Sequence, residues 1–142
     1  MTSTIFNLLN VLPLPIWLGM LLFPRARFTE RLMLAYWPYM VLGGLYTLLL
    51  LIALATGSGS FDLSFAALKE SFAEDWVFLA GWAHYLTLDL FAGVWLFRDA
   101  KYWGINPRVF VLLTLFFGPL GLASYLLTRQ RKQKDDPVRV LN

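Results

Sequence analysis

Four long apolar blocks constrain this chain more than any other feature of its sequence. They run from about Ile5 to Phe23, Ala35 to Thr56, Trp76 to Phe97 and Val109 to Leu127. A helix of roughly 20 apolar residues spans the hydrocarbon core of a bilayer, and it satisfies its backbone polar groups internally. The blocks therefore predict an all-α, polytopic membrane protein with four transmembrane helices.

The composition agrees with that architecture and leaves no room for a separate soluble domain. Of the 142 residues, 58% are hydrophobic and 15% are charged, whereas a soluble domain carries about 25% charged residues. We predict a single four-helix transmembrane domain over residues 1–128 and a charged C-terminal tail over residues 129–142.

Shorter segments connect the blocks. After the Gly57–Ser60 sequence, which breaks helix two, large apolar residues recur at helical spacing over Phe61–Phe72, and charged residues lie off that face. This pattern predicts a short helix in the plane of the membrane interface, between helices two and three. Between the first two blocks, Arg25, Arg27 and Arg31 predict a short basic loop.

Proline and glycine predict breaks inside two of the blocks. Pro13 and Pro15 each remove a backbone donor, so helix one should be distorted near its first third. In helix four, Gly118 and Pro119 predict a kink with close backbone packing on one side.

The charge pattern indicates which partners to expect. The net charge is +3, but the basic residues flank the apolar blocks, which favours anchoring to anionic lipid head groups over binding of nucleic acid. Membrane lipid is therefore an expected partner and nucleic acid is not. The absence of cysteine excludes disulfides and thiolate metal sites. Because the first block starts at Ile5 with no basic segment before it, we expect no cleavable signal peptide.

Helix three carries the ionisable residues that are candidates for binding or catalysis. Its segment Gly81–Ala100 contains His84, the single histidine of the chain, and the carboxylate of Asp89. An ionisable side chain at membrane depth is costly unless it is neutral, paired or in a wet cavity, so each is a functional candidate. The alternative is that both are hydrogen-bonded polar groups in the interior of the helix bundle.

Helical geometry separates His84 from Asp89. Five residues correspond to about 140° around a helix, so these two side chains form no intrahelical pair and no two-ligand metal site on one face. They can cooperate only through a ligand or through neighbouring helices. One face carries Trp82, Tyr85 and Asp89, and the other carries His84, Phe91 and Trp95.

Two chemical roles are open to these residues. Low-dielectric surroundings favour the protonated carboxyl of Asp89 and the neutral imidazole of His84. Such an acid and base can move protons to and from an apolar substrate without a metal or cofactor. In the second interpretation, His84 is an axial ligand of a chlorin or haem, and the small residues Ala80 and Gly81 let the flat ring approach the helix.

Asn7 and Asn10 are the amide side chains of helix one. They are three residues apart and share a helix face, from which they can contact a ligand or bond to another helix. Both interpretations remain open from the sequence.

Motifs along nearly the whole chain resemble one known family. They are Phe6-Asn7, Asn10, Leu12-Pro13 and Trp17 near the N-terminus, Gly81-Trp82-Ala83-His84-Tyr85-Leu86, Asp89-Leu90-Phe91, Gly93 and Asp99-Ala100 in the centre, and Gly118-Pro119-Leu120-Gly121-Leu122 and Tyr125-Leu126 in helix four. In these motifs the chain resembles the abscisic-acid-deficient-four family, small four-helix membrane proteins that are associated with neoxanthin formation in plants.

The resemblance implies a role in carotenoid metabolism. In plants, the family's role is similar to that of an isomerase that opens the epoxide of violaxanthin to give the allenic neoxanthin. That reaction needs a proton donor for the epoxide oxygen and a base for a polyene carbon, and Asp89 and His84 are the candidates, with Tyr85 and Asn10 as orienting groups. The expected ligand-binding residues are Asn7, Asn10, Trp82, Trp95, Gly118 and Pro119.

The competing class is a non-enzymatic pigment-binding or accessory subunit of a photosynthetic membrane complex. Its aromatic surfaces and small-residue notches would hold a carotenoid, a chlorin or a partner helix. The short chain without a transit peptide is expected in a bacterial inner membrane or photosynthetic membrane. No cofactor is predicted, and a carotenoid is expected as substrate or bound pigment.

Overall fold

The computed structural model describes residues 1–57, 62 and 64–135, and every regular element in these ranges is an α-helix. The predicted all-α class is therefore confirmed, with no strand among the described residues. In chain order the helices are α1 (Thr2–Val11), α2 (Leu14–Leu22), α3 (Arg27–Leu34), α4 (Trp37–Ala55), α5 (Phe65–Ser71), α6 (Asp75–Tyr102), α7 (Arg108–Phe117) and α8 (Pro119–Asp135).

Within the part of the chain that the structure describes, three helical stretches are long and apolar enough to cross a membrane. They are Thr2–Leu22, Arg27–Ala55 and Asp75–Tyr102, of 21, 29 and 28 residues. The fourth predicted span, Val109–Leu127, is not one continuous helix, because it is divided into α7 and α8. The 10 residues of α7 are fewer than the ~20 needed to span the hydrocarbon core as a single helix.

Both predicted breaks are present. α1 ends at Val11 and α2 begins at Leu14, on either side of the proline that cannot donate a backbone hydrogen bond. Between α7 and α8, Gly118 has a φ of 40° and a ψ of −98°, a positive φ that glycine adopts without the clash a Cβ causes. Pro119 then opens α8, where a missing N–H leaves no helical bond unmade.

Three predicted boundaries are corrected. The basic segment expected as a loop is helical from Arg27, the first residue of α3. α8 continues to Asp135 instead of ending at Leu127, so the first part of the predicted tail is helix. Of the predicted short helix, α5 covers Phe65–Ser71, whereas Phe61 and residues 58–60 of the predicted break lie outside the described residues.

The chain forms two compact units. The first comprises Met1–Pro15 and Ala35–Leu88 and therefore contains α1, α4, α5 and the N-terminal half of α6. In α4 the buried positions follow one stripe of the helix, as expected for an element that packs along one side. The buried hydrophobic side chains of this unit are Leu9, Leu42, Leu49, Ala53, Leu79, Ala80 and Ala83.

The second unit comprises Ile16–Leu34 and Asp89–Asn142, and it contains most of α2, all of α3, the C-terminal half of α6, α7 and α8. The indole of Trp17 lies directly against Gly93 of α6, and the side chain of Thr29 lies against Gly19 of α2. Thr29 Oγ1 donates to the carbonyl of Phe23 at 2.8 Å, which satisfies this buried hydroxyl.

Five threonine hydroxyls are bonded to the backbone of their own helical segment. In each of five threonines, Oγ1 donates to the carbonyl four residues earlier, at 2.7 to 3.0 Å. Such a bond removes the need for a partner from another element. The five are Thr47, Thr56, Thr87, Thr114 and Thr128.

Candidate functional site

His84 lies on the first unit's part of α6 and is exposed at the protein surface. Its imidazole ring is tilted against the phenol ring of Tyr46 on α4, with 5.5 Å between the ring centroids. An exposed imidazole that packs on one aromatic ring is accessible to a ligand from its open side. The structure therefore places His84 on the surface of this unit.

An amide bridge joins α1 to α6 in the same unit. Trp82 Nε1 donates to Asn10 Oδ1 at 3.1 Å, and Asn10 Nδ2 donates to the carbonyl of Phe6 at 2.8 Å. Both ends of the Asn10 amide are thus bonded within the protein, which favours the interhelical interpretation of this residue. Asn7 is exposed.

An aromatic cluster surrounds this bridge. Trp82 contacts Phe6 at 5.3 Å and Tyr85 at 5.3 Å between ring centroids, and it stacks on Phe78 at 6.1 Å with an interplanar angle of 14°. Offset and tilted ring pairs at these distances stabilise packing beyond the area that they bury. Two of the predicted site residues, Trp82 and Tyr85, therefore lie together.

The space beside Gly81, which the chlorin interpretation requires, is occupied by another aromatic side chain. A methyl group added at Gly81 would lie 2.7 Å from Cε1 of Phe72, the residue that follows α5. A flat ring could approach the helix here only if Phe72 turned away. Axial ligation by His84 stays a prediction.

Asp89 lies near the middle of α6, in the second unit, and is half-buried. Its carboxylate lies against the break between α7 and α8, because a methyl group added at Gly118 would be 2.8 Å from Asp89 Oδ1 and 3.1 Å from Oδ2. The structure thus brings together two predicted site residues that are distant in sequence. Pro119, the next residue, is exposed.

The division into units separates the predicted residues into two groups. Asn10, Trp82, Tyr85 and His84 belong to the first unit, and Asp89 belongs to the second. The cooperation of His84 with Asp89 through a ligand stays a prediction.

A charged cluster in the second unit is absent from the predicted site. Asp99 of α6 accepts a hydrogen bond from the phenol of Tyr125 on α8, and its Oδ2 lies 2.9 Å from Arg129 Nε. The guanidinium of Arg129 lies 5.6 Å from the ring centroid of Trp103, and Trp95 contacts Tyr125 edge-on at 6.1 Å. This cluster joins the C-terminal half of α6 to α8.

The sequence held two signals for this cluster. Asp99 and Tyr125 both belong to the motifs that carry the family resemblance, and the second signal is a spacing within α8. Tyr125 and Arg129 are four residues apart, so they share a face of one helix and can contact the same carboxylate. That signal depends on α8 continuing past Leu127, which the sequence analysis did not predict. Among the described residues, no three His, Cys, Asp or Glu side chains are grouped closely enough to hold a metal ion.

Most of the chain is similar to known proteins. The sequence model of the ABA4-like family, described as ABA DEFICIENT 4-like, matches residues 4–125. A curated relative, protein ABA DEFICIENT 4, chloroplastic, of Arabidopsis thaliana, is 28% identical over 134 residues, which cover 89% of this chain and 61% of the relative. The chain thus spans about three fifths of the length of this relative.

No solved structure matches the chain significantly. The family match covers the amide bridge, the Asp89 and Gly118 contact, and Asp99 and Tyr125 of the charged cluster. Arg129 lies beyond the matched residues. On the extent of this match, the chain belongs to the ABA4-like family.

Proposed function

We propose that this chain is an integral membrane protein that acts on a carotenoid, with Asp89 as the acid of its site. Membership of the ABA4-like family and the three membrane-compatible helical stretches support this role. The proposal includes a fourth crossing by α7 and α8 together and a bacterial inner or photosynthetic membrane as the location. The reaction proposed is the isomerisation of an epoxy-carotenoid.

The observation that carries the proposal is the position of the Asp89 carboxyl. It lies near the middle of the 28-residue helix α6, where an ionisable group is costly, and its two oxygens lie against Gly118 at the break between α7 and α8. A carboxylic acid is suited to donate a proton to an epoxide oxygen.

The atoms, electrons and protons of the proposed isomerisation balance without a cofactor. The acid proton is transferred to the epoxide oxygen as one C–O bond breaks and a hydroxyl forms. A base removes a proton from the neighbouring polyene carbon, and the electron pair of that C–H bond becomes part of the allene. The atoms of substrate and product are the same, and a proton returns to Asp89 through water. His84 stays the predicted base, and Tyr85 a predicted orienting group.

Production of the protein in a bacterium that accumulates an epoxy-carotenoid tests the proposal. Chromatography of the extracted pigments should show a new isomer with the wild-type chain and none with Asp89→Asn, which keeps the shape of the side chain but not its acid proton. Glu74→Gln, an exposed carboxylate just before α6, is the matched control and should leave the isomer unchanged. An active Asp89→Asn protein would show that the carboxyl is structural.

A second candidate, pigment binding without chemistry, is favoured by a cavity in the first unit. The cavity has a volume of 240 Å³, with Thr2, Ser3 and Asp75 on its polar side. Phe6, Phe78 and Leu79 form its apolar side and connect it to the aromatic cluster. A hydroxylated carotenoid ring has this combination of one polar edge and an apolar body.

Pigment that copurifies with the protein separates the two candidates. Binding without chemistry predicts a carotenoid that is released unchanged and is reduced in Phe78→Ala. Phe65→Ala, on an exposed position of α5, is the control for loss of an aromatic ring. Equal pigment in both variants would argue against this cavity as the binding site.

A further inference from the structure

One cavity in the second unit lies where two loops meet. Its volume is 750 Å³, and it is bounded by the segment after α2 and the segment between α6 and α7. It contains none of the residues assigned to carotenoid chemistry. The lining residues are Leu22, Phe23, Pro24, Arg25, Ala26, Lys101, Gly104, Ile105, Asn106, Pro107 and Arg108.

The charge of this cavity is positive. Its lining includes Arg25, Lys101 and Arg108 and no carboxylate. Lys101 is already engaged, since its Nζ donates to Glu30 at 3.1 Å and to the carbonyl of Pro24 at 3.3 Å. Among the side chains that the structure describes, neither Arg25 nor Arg108 is in an ion pair, and both are exposed. Two guanidinium groups therefore remain for an anionic ligand.

The position of the cavity indicates what kind of anion it would take. α2 ends at Leu22, α6 ends at Tyr102 and α7 begins at Arg108, so the cavity lies at the ends of three apolar helices. Exposed Phe23 and Tyr102 are the amphipathic or apolar rings expected at a membrane interface. Leu22, Phe23, Ile105 and Pro107 give the lining an apolar part beside its cations.

We propose that this cavity binds the head group of an anionic phospholipid, with its phosphate at Arg25 and Arg108. Arginine forms bidentate hydrogen bonds with phosphate oxygens. The apolar lining would receive the glycerol and the first part of the acyl chains, which free phosphate lacks. The inference depends on the membrane location in the proposed function and not on the carotenoid chemistry.

Native mass spectrometry of the full chain in detergent, titrated with dioctanoyl phosphatidylglycerol or dioctanoyl phosphatidylcholine, tests the site. The wild-type chain should retain phosphatidylglycerol in preference to phosphatidylcholine. The double variant Arg25→Gln with Arg108→Gln should lose that preference, with an affinity roughly fivefold lower for each cation removed. Arg25→Lys with Arg108→Lys keeps the charge and should retain most of the preference, which excludes misfolding as the cause.

Arg27→Gln with Arg31→Gln is the matched control. Both arginines are exposed on α3 in the same unit, neither lines the cavity, and the change in net charge is the same. The control should keep the lipid preference. An equal loss in the control would assign the preference to general surface charge and overturn the site. Binding of inorganic phosphate by a wild-type chain that retains no phosphatidylglycerol would equally overturn it as a lipid site. If the double variant Arg25→Gln with Arg108→Gln still isomerises the carotenoid, the lipid site is separate from the proposed carotenoid function, which then stands whatever the result of the lipid titration.

Discussion

Gly93 shows how one small residue determines the packing of a large one. The six-membered ring of Trp17 lies on Gly93 of α6, in the space that any Cβ at this position would occupy. Trp17 is buried, so its ring has little room to move away. Glycine is therefore needed at position 93 because the Trp17 ring leaves no space for a Cβ, and not because of the backbone conformation.

Gly93→Ala should destabilise the protein. The added methyl group must displace Trp17, and overpacking of this kind costs about 1–3 kcal/mol. Gly43→Ala is the matched control, because Gly43 is also helical and nothing lies within 4 Å of a methyl group added there. Thermal unfolding in detergent should show a lower midpoint for Gly93→Ala alone. The same shift in both variants would point to glycine flexibility as the cause.

Tyr125 should contribute to stability through its hydroxyl. Asp99 is 18% exposed and accepts from Tyr125, so Tyr125→Phe leaves this carboxylate with one bonding partner fewer. Loss of a hydrogen bond to a charged group costs about 1.5–3 kcal/mol. Tyr36→Phe, at a position that is 84% exposed, removes the same hydroxyl and should not change the unfolding midpoint. A stable Tyr125→Phe protein would show that Arg129 alone satisfies Asp99.

Among the helices, α1 and α6 are joined by a polar contact within an apolar unit. The Trp82 and Asn10 side chains meet across 72 residues of sequence, and the amide is oriented by its second bond to the Phe6 carbonyl. Hydrogen bonds of this kind specify which faces of two helices meet, because an apolar surface alone does not distinguish one rotation from another.

A double-mutant cycle measures this contact. Asn10→Ala and Trp82→Phe should show a coupling energy of about 0.6 kcal/mol, with about 1.7 kcal/mol as the upper range for membrane helices. Asn7→Ala combined with Trp82→Phe is the control, since Asn7 is exposed on the same helix. No coupling in the first pair would favour the interpretation of Asn10 as a ligand contact.

The helix breaks were predictable from the sequence because they follow from covalent structure. Pro13 and Pro119 lack an N–H, and Gly118 adopts a positive φ, which are properties of single residues. The length of α8 was not predictable in the same way. Its last part is a run of charged and polar residues, and a helix there is compatible with the same composition as a solvated tail.

The candidate site was predictable only in part, for a related reason. Asp89 and His84 were identified by the cost of an ionisable group in an apolar helix, which is a local property. In the structure Asp89 lies against Gly118, and His84 contacts Tyr46. These contacts join elements that are distant in sequence, so they depend on how the helices pack and were not predictable. Asp99 was overlooked because a charge near the end of a helix usually lies in solvent, whereas here Tyr125 and Arg129 enclose it.

For the whole molecule, the number of crossings is the main consequence of the break at Gly118. Four crossings place both chain termini on the same side of the membrane, and three place them on opposite sides. The chain contains no cysteine, so labelling of a single introduced thiol shows on which side of the membrane that residue lies. Ser3 of α1 and Gln133 of α8 are suitable positions for an introduced cysteine, since each lies close to one end of the chain.

With four crossings, Ser3→Cys and Gln133→Cys should both be labelled by a membrane-impermeant maleimide from the same side of sealed vesicles. The wild-type chain serves as the control without a thiol, and detergent-opened vesicles show that each thiol can react. Labelling from opposite sides would establish three crossings and would leave α7 and α8 outside the membrane.

The threonines that donate hydrogen bonds to their own helix make its surface more apolar than a hydropathy scale indicates. A hydropathy scale treats each hydroxyl as a group that seeks water, but the hydroxyls of Thr47, Thr87 and Thr128 donate hydrogen bonds to carbonyls of the preceding turn. What such a residue presents outward is its methyl group. These helices are therefore more apolar at their surface than their composition indicates, and Asp89 and His84 are the polar groups of α6 that a hydrocarbon environment disfavours most.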